Sequence, residues 1–181
     1  KMKVGVKKDG SITAIHTVAT LNKGAYLASG LGVARRTGQG PLYLYRCPNV
    51  KYEAYLVYTN RPVAGSYRAL GAPQGHFALE TLMDRVAEAV EMAPLAIRRQ
   101  NQVPPEGQPG QRTSPHDQII DSQPVEGGVP FSSNGLDQCL RQGAEAFGWQ
   151  EPKSHPDAAD PAKKRCWGMS MMIYRGGPGS P

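Results

Sequence analysis

A single arginine set among glycines is where this sequence most invites chemistry. Arg68 stands in Gly65-Ser66-Tyr67-Arg68-Ala69-Leu70-Gly71-Ala72-Pro73-Gln74-Gly75, in which the glycines remove the Cβ atoms that would hold a ligand away from the backbone. Pro73 suits the first turn of a helix, where its missing N–H is not needed. A helix starting there turns its free N–H groups back toward the loop, and such an end favours anions through unpaired donors and the macrodipole. Arg68 would occupy the apex of that loop. A second candidate is Arg36, in Ser29-Gly30-Leu31-Gly32-Val33-Ala34-Arg35-Arg36-Thr37-Gly38-Gln39-Gly40. The stretch reads first as a solvated glycine-rich turn, yet the planar guanidinium fork of Arg36 suits a carboxylate or a polar heterocycle. Gly30-x-Gly32 invites a dinucleotide reading, but Arg35 takes the place of the third glycine and no good buried strand precedes it. No phosphate-cradling Walker loop is present.

The remaining reactive side chains read as structural. His16 lies in a β-patterned run without a neighbouring carboxylate or thiol, which fits a satisfied strand residue. His116 and Asp117 sit side by side in a polar loop and read as solvated. The three cysteines, Cys47, Cys139 and Cys166, are far apart, with no Cys-x-x-Cys pair and no histidine at ligand spacing. They are expected to be reduced structural thiols in a cytoplasmic protein, and no metal held by side chains is expected. The formal charge of +6 is spread along the chain, which fits an ordinary basic surface or an acidic partner better than nucleic acid. No apolar run approaches a membrane span, and no secretory signal is visible. The chain opens at Lys1 directly in a strand-like pattern, so it is expected to be a piece of something longer.

The elements that must position Arg68 follow from periodicity. Met2–Lys8 and Ser11–Thr20 are alternating runs around Asp9-Gly10, a strong hairpin signal. Asn49–Tyr58 forms a third strand, rich in aromatic and β-branched residues, that delivers the chain to the glycine loop. Tyr52, Tyr55 and Tyr58 are spaced by three and cannot share one strand face, so a base-stacking platform is not expected. After the loop, Leu79, Leu82, Met83, Val86 and Val90 make one apolar stripe, with Glu80, Asp84, Arg85, Glu88 and Glu91 on the other faces. Pro94 ends that helix and Leu95–Asn101 reads as a short second one. Residues 102–132 are rich in proline, glycine and glutamine and read as a surface excursion, with Gln118–Asp121 as one short strand at most. Ser133 or Asn134 caps a helix whose stripe is Leu136, Cys139, Leu140, Ala144 and Phe147, placing Cys139 in the core. Gln150–Lys164 reads as a loop, Arg165–Tyr174 as a buried strand, and the end as a glycine and proline tail. The fold expected is α+β, a twisted, mainly antiparallel sheet with two principal helices packed on it and long Pro/Gly-rich loops. Three segments are expected: a cofactor-facing part over 1–101, the excursion over 102–132, and a helix, loop and strand over 133–181.

Taken together, Thr59-Asn60-x-Pro62, then Tyr67-Arg68-Ala69-Leu70-Gly71-Ala72-Pro73-Gln74-Gly75 and a helix holding Glu80 and Asp84, resemble the molybdopterin-binding region of the molybdenum hydroxylases, the xanthine dehydrogenase and aldehyde oxidase family. The Asp9-Gly10 hairpin, Cys47-Pro48-Asn49, Arg98-Arg99-Gln100-Asn101 and Asp137-Gln138-Cys139-Leu140 fit the same order. The resemblance implies that Arg68 lies against a molybdenum–pterin cofactor, with small residues such as Ala69 and Gly71 letting backbone pass close to it. The metal would be held by the pterin dithiolene, in the plain or the cytosine dinucleotide form. The reaction implied is hydroxylation of an aldehyde or N-heterocycle carbon with oxygen from water, with electrons leaving through iron–sulfur clusters and usually FAD on other domains or subunits.

Two substrate-wall positions carry over. Arg36 falls where the xanthine enzymes have a substrate-orienting arginine, and Leu70 where they have a phenylalanine against the bound ring. Leu70 lacks that aromatic surface, which argues against a purine. The carbon monoxide dehydrogenase branch has a copper-binding cysteine directly after the loop arginine, where this chain has Ala69. The family's glutamate general base and metal-approaching glutamine have no counterpart here, since Glu80 and Glu88 sit on the long helix away from the loop apex. The chain is therefore expected to form part of a cofactor wall in a molybdenum subunit, to need the rest of that subunit, and to be inactive alone. Faces made to meet that remainder would expose apolar surface and leave room for self-association. A non-catalytic binding or assembly domain is the rival reading, and it requires neither the glutamate nor the glutamine.

Overall fold

The computed structural model describes residues 1–104, 133–149, 155–157 and 160–174. Strands β1 (Met2–Val6) and β2 (Ile12–Gly24) form the expected hairpin, with Lys3 opposite His16. Its turn closes through Gly10 N–H to Lys7 O at 3.0 Å and Ser11 N–H to Asp9 Oδ1 at 2.9 Å. Helices α1 (Gly30–Thr37) and α2 (Gln39–Tyr43) then carry the chain to β3 (Val50–Tyr58), which pairs in parallel with β2. A parallel pair needs such a crossover, because no tight turn can bring a strand back in the same direction. The fold is α+β as expected, and its three-stranded sheet, ordered β1-β2-β3, is mixed.

Helix α3 (Ala72–Ala89) and the short α4 (Pro94–Asn101) follow. Ile12 and Ile15 from the sheet, Leu79, Met83, Val86 and Ala87 from α3, Ile97 from α4, and Leu44, Tyr45 and Cys47 after α2 form one core. The run Arg98-Arg99-Gln100-Asn101 acts as a clasp. Arg98 is buried against Glu80 and Asp84; Arg99 pairs with Asp137 at 2.7 Å; Gln100 donates to Asp9 O at 2.9 Å. Asn101 donates to Gly10 O at 2.8 Å and accepts from Ile12 N–H at 3.0 Å, fixing α4 to the hairpin turn.

Helix α5 (Leu136–Phe147) has Gly135 at its N-cap in place of the expected Ser133 or Asn134; Asn134, one residue earlier, accepts from Leu136 N–H through Oδ1 at 3.0 Å. A small antiparallel pair, β4 (His155–Asp157) and β5 (Asp160–Arg165), lies within the stretch read as a loop. No helix among the described residues is long and apolar enough to cross a membrane.

Several expectations are corrected. The glycine-rich stretch is helical over Gly30–Thr37 and Gln39–Tyr43, not a solvated turn. Two of its glycines serve packing: a Cβ on Gly38 would come within 2.9 Å of the Tyr52 ring, and one on Gly40 within 3.2 Å of the His76 ring. Glu80 is buried, not on an outer face. Cys139 is exposed, because α5 meets the core only through the partly buried Leu136 and Leu140. Residues 166–174 do not continue as a strand, and only Met171 among them is buried. The readings at His116, Asp117 and Gln118–Asp121 lie outside the described residues.

Candidate functional site

The Arg68 loop is gripped from two sides. At its start, the end of β2 acts as a clamp: Thr59 N–H donates to Gly24 O at 3.0 Å, Ala25 N–H to Arg61 O at 3.1 Å, and Ala64 N–H to Lys23 O at 3.0 Å. Lys23 is buried, and its ammonium donates to Ala64 O at 2.8 Å, so a charge that would rarely be buried unpaired instead pins the loop backbone. Midway, the hydroxyl of Ser66 donates to that of Ser29, just ahead of α1. At its end the loop presses on α1, where a Cβ on Gly71 would lie 2.4 Å from Val33 O and one on Gly75 would lie 2.0 Å from Thr37 O. Only glycine fits at either place.

Between these anchors the backbone is held in an unusual form. Ala69, Leu70 and Gly71 have φ of 62°, 45° and 95°, three successive left-handed residues, closed by Ala72 N–H to Ala69 O at 2.9 Å. For Ala69 and Leu70 this geometry costs about 1–2 kcal/mol each and persists only where surrounding contacts impose it. The turn leaves Ala69 and Leu70 half-buried and Arg68 exposed. Arg68 has no hydrogen-bond or ion-pair partner among the described residues. The sequence-derived site residues Arg68, Ala69, Leu70 and Gly71 thus form one continuous turn leading into α3.

Arg36 lies on the same helix, α1, that receives Gly71. Its guanidinium carbon sits 5.2 Å from the centre of the Tyr174 ring. Nη1 of Arg36 and Nε of Arg35 are buried without partners among the described residues. His16 pairs with Glu53 across β2 and β3 at 2.7 Å, so the carboxylate missing beside it in sequence is supplied by the neighbouring strand. The carboxylate of Glu53 is held below the usual range by the Lys51 ammonium and by His16.

Beneath the N-terminal half of α3 lies a buried polar knot. Glu80 accepts from the Tyr45 hydroxyl at 2.5 Å, from Arg98 Nε at 2.9 Å and from Met171 N–H at 2.8 Å. Burial, and then the Glu80 carboxylate, push the Tyr45 phenol well above its ordinary value. Sequence reasoning missed Lys23, His76, Glu80 and Tyr174. Their partners are remote in sequence, and no local spacing marks them.

The loop and the start of α3 suit an anionic ligand. They offer an unpaired arginine, a strained backbone turn and the start of an 18-residue helix. Among the described residues no three His, Cys, Asp or Glu come together to hold a metal.

The chain resembles known proteins in sequence and in fold. Residues 1–102 match the family described as the molybdopterin cofactor-binding domain. The chain is 30% identical over 171 residues, 94% of its length, to a xanthine dehydrogenase molybdenum-binding subunit of Escherichia coli O157:H7, and spans 21% of that relative. Its fold matches the aldehyde oxidoreductase of Desulfovibrio gigas with a TM-score of 0.62 and 27% identity, over 81% of this chain and 14% of that one. Quinoline 2-oxidoreductase from Pseudomonas putida 86 matches with a TM-score of 0.61 and 27% identity, over 81% of this chain and 17% of that one.

Proposed function

The chain belongs to the molybdopterin cofactor-binding domain family, and on that premise we propose that Arg68, Ala69 and Gly71 form one wall of the cofactor site of a molybdenum hydroxylase. The observation that carries this is the left-handed turn with its unpaired Arg68, placed by the Lys23 clamp and by α1. Arg68 would neutralise an anionic part of the cofactor, and the close-lying backbone of Ala69 and Gly71 would exclude water beside it. When bound, the molybdenum–pterin group supplies the redox centre for hydroxylating an aldehyde or N-heterocycle with oxygen from water. Arg36 and Leu70 are the substrate-facing residues, the first offering a donor and the second an aliphatic surface. Leu70 gives no ring for stacking, which favours small or non-purine substrates.

Because the chain spans about a fifth of its molybdenum-binding-subunit relative, the complete polypeptide is the natural unit of activity. The general base would come from the rest of the molybdenum subunit, and electrons would leave through iron–sulfur and flavin partners in the cytoplasm. Substrate oxidation by the whole natural polypeptide, and none by the isolated chain supplied with cofactor, is the expected result. Turnover by the isolated chain would overturn the division of labour.

A further inference from the structure

The segment 166–174 runs along α3 as a strap. Met171 N–H donates to Glu80 Oε2 at 2.8 Å and Ile173 N–H to His76 Nε2 at 3.0 Å. Two residues of extended chain advance about 6.6 Å and four residues of helix about 6 Å, so alternate strap amides meet side chains one turn apart. His76 Nδ1 lies 2.7 Å from Ala72 O, which sets the ring's tautomer: Nδ1 carries the proton and Nε2 is free to accept from Ile173. The residue after this second anchor is Tyr174, whose ring lies beneath the Arg36 guanidinium.

Arg36 differs from Arg98 and Lys23, and shares its lack of a partner among the described residues with Arg35, whose Nε is buried beside it on α1. Arg98 has two carboxylates and Lys23 has a carbonyl, whereas Arg36 Nη1 is buried without an acceptor among the described residues. A buried donor left unmatched is costly, so a site that keeps one is built for an acceptor that arrives later. The Tyr174 ring supplies no such acceptor. It holds the guanidinium by its face while leaving the N–H edge open.

We propose that Tyr174 is the positioning residue for Arg36, its ring fixing the direction in which the guanidinium presents its N–H edge. His76 and Glu80 act one step further back, by fixing the strap that carries Tyr174. This deepens the cofactor reading by naming a residue that orients its substrate wall, and it rests on that reading for the wall's place and for the ligand of Arg36.

The test uses the whole natural polypeptide and isothermal titration with benzoate as the planar carboxylate. Tyr174→Leu, which fills the space without a π face, weakens benzoate binding about two- to fivefold. Tyr174→Phe restores it, since the ring and not the hydroxyl does the work. In an Arg36→Gln background Tyr174→Leu has no further effect, because its role is exerted through the guanidinium. A merely structural Tyr174 would weaken binding equally in both backgrounds, and that result overturns the proposal, as does a wild type that binds no benzoate. Molybdenum and pterin are assayed in the same preparations. Their presence beside unchanged benzoate binding in Tyr174→Leu removes the role of Tyr174 and leaves the cofactor reading standing. Their absence from the wild type removes the cofactor reading, while the binding cycle still decides Tyr174.

Discussion

Replacing Glu80 by Gln keeps the side chain's volume and removes the charge under α3. The carboxylate now serves three donors: the Tyr45 hydroxyl, Arg98 Nε and the Met171 amide. An amide has one oxygen and an NH2: with the oxygen facing Arg98 Nε and the Met171 amide, the NH2 faces the Tyr45 hydroxyl, which must turn to accept and so loses the acceptor of its own proton. Breaking a buried ion pair by neutralising one partner costs about 3–5 kcal/mol. Asp84 stays 2.8 Å from Arg98 Nη2 and is half-exposed, so a second carboxylate still answers the guanidinium. That places Glu80→Gln at the lower end, about 3 kcal/mol. At about 1.4 kcal/mol per factor of ten, amides that open with this knot should exchange roughly a hundredfold faster. Hydrogen exchange read by mass spectrometry on the whole natural polypeptide resolves this in peptides covering α4 and residues 166–174. Glu88→Gln, on the exposed side of α3, is the control and should change exchange by no more than about twofold. Unchanged protection in both peptides of Glu80→Gln would refute the knot as the joint between α3, α4 and the strap.

Other consequences follow from single residues. Gly71→Ala meets both a φ of 95° and the Val33 carbonyl at 2.4 Å, and should destabilise the loop by about 2–4 kcal/mol, read as lower thermal stability and lower molybdenum content. Tyr52 is buried, donates to Ala34 O at 2.6 Å, and has its phenol pushed up to about 12 by burial. Its contribution to stability is complete below about 10, the value of an unfolded tyrosine, and is lost as pH rises toward 12. Tyr52→Phe should therefore show a smaller fall in melting temperature between neutral and strongly alkaline pH than the wild type. Tyr67 is 90% exposed, Phe77 77% and Tyr26 72%, three large apolar side chains left open to contact. The isolated chain should self-associate with rising concentration in light scattering, and a monomer at all concentrations would argue against that surface being sticky.

What the sequence disclosed was mostly local. The hairpin at Asp9-Gly10, the entry of α3 at Pro73 and the start of α5 just past Asn134 each depend on residues within one turn of each other. The Arg68 turn was legible for the same reason, since its glycines and arginine are contiguous. Helices α1 and α2 were hidden because Gly30, Gly32, Gly38 and Gly40 argue against helix by propensity, while tertiary packing asks for Gly30 beside the Lys23 side chain, Gly38 beside the Tyr52 ring and Gly40 beside the His76 ring. Glu80 was assigned to a polar face by periodicity, but Tyr45, Arg98 and Met171 lie 35, 18 and 91 residues away. The Lys23 clamp and the contact between Arg36 and Tyr174 are equally non-local. Such partnerships exist only once the sheet and α3 have assembled.

The central claim is that the Arg68 turn holds the molybdenum–pterin group. Metal analysis and pterin fluorescence on the whole natural polypeptide, expressed in a host that makes the cofactor, test it most directly. The wild type should carry both, and Arg68→Ala should be depleted in both while its far-ultraviolet circular dichroism and melting temperature stay close to wild type, because the side chain is exposed and makes no contact that the fold needs. Equal molybdenum and pterin in the two proteins, or none in the wild type, would contradict it.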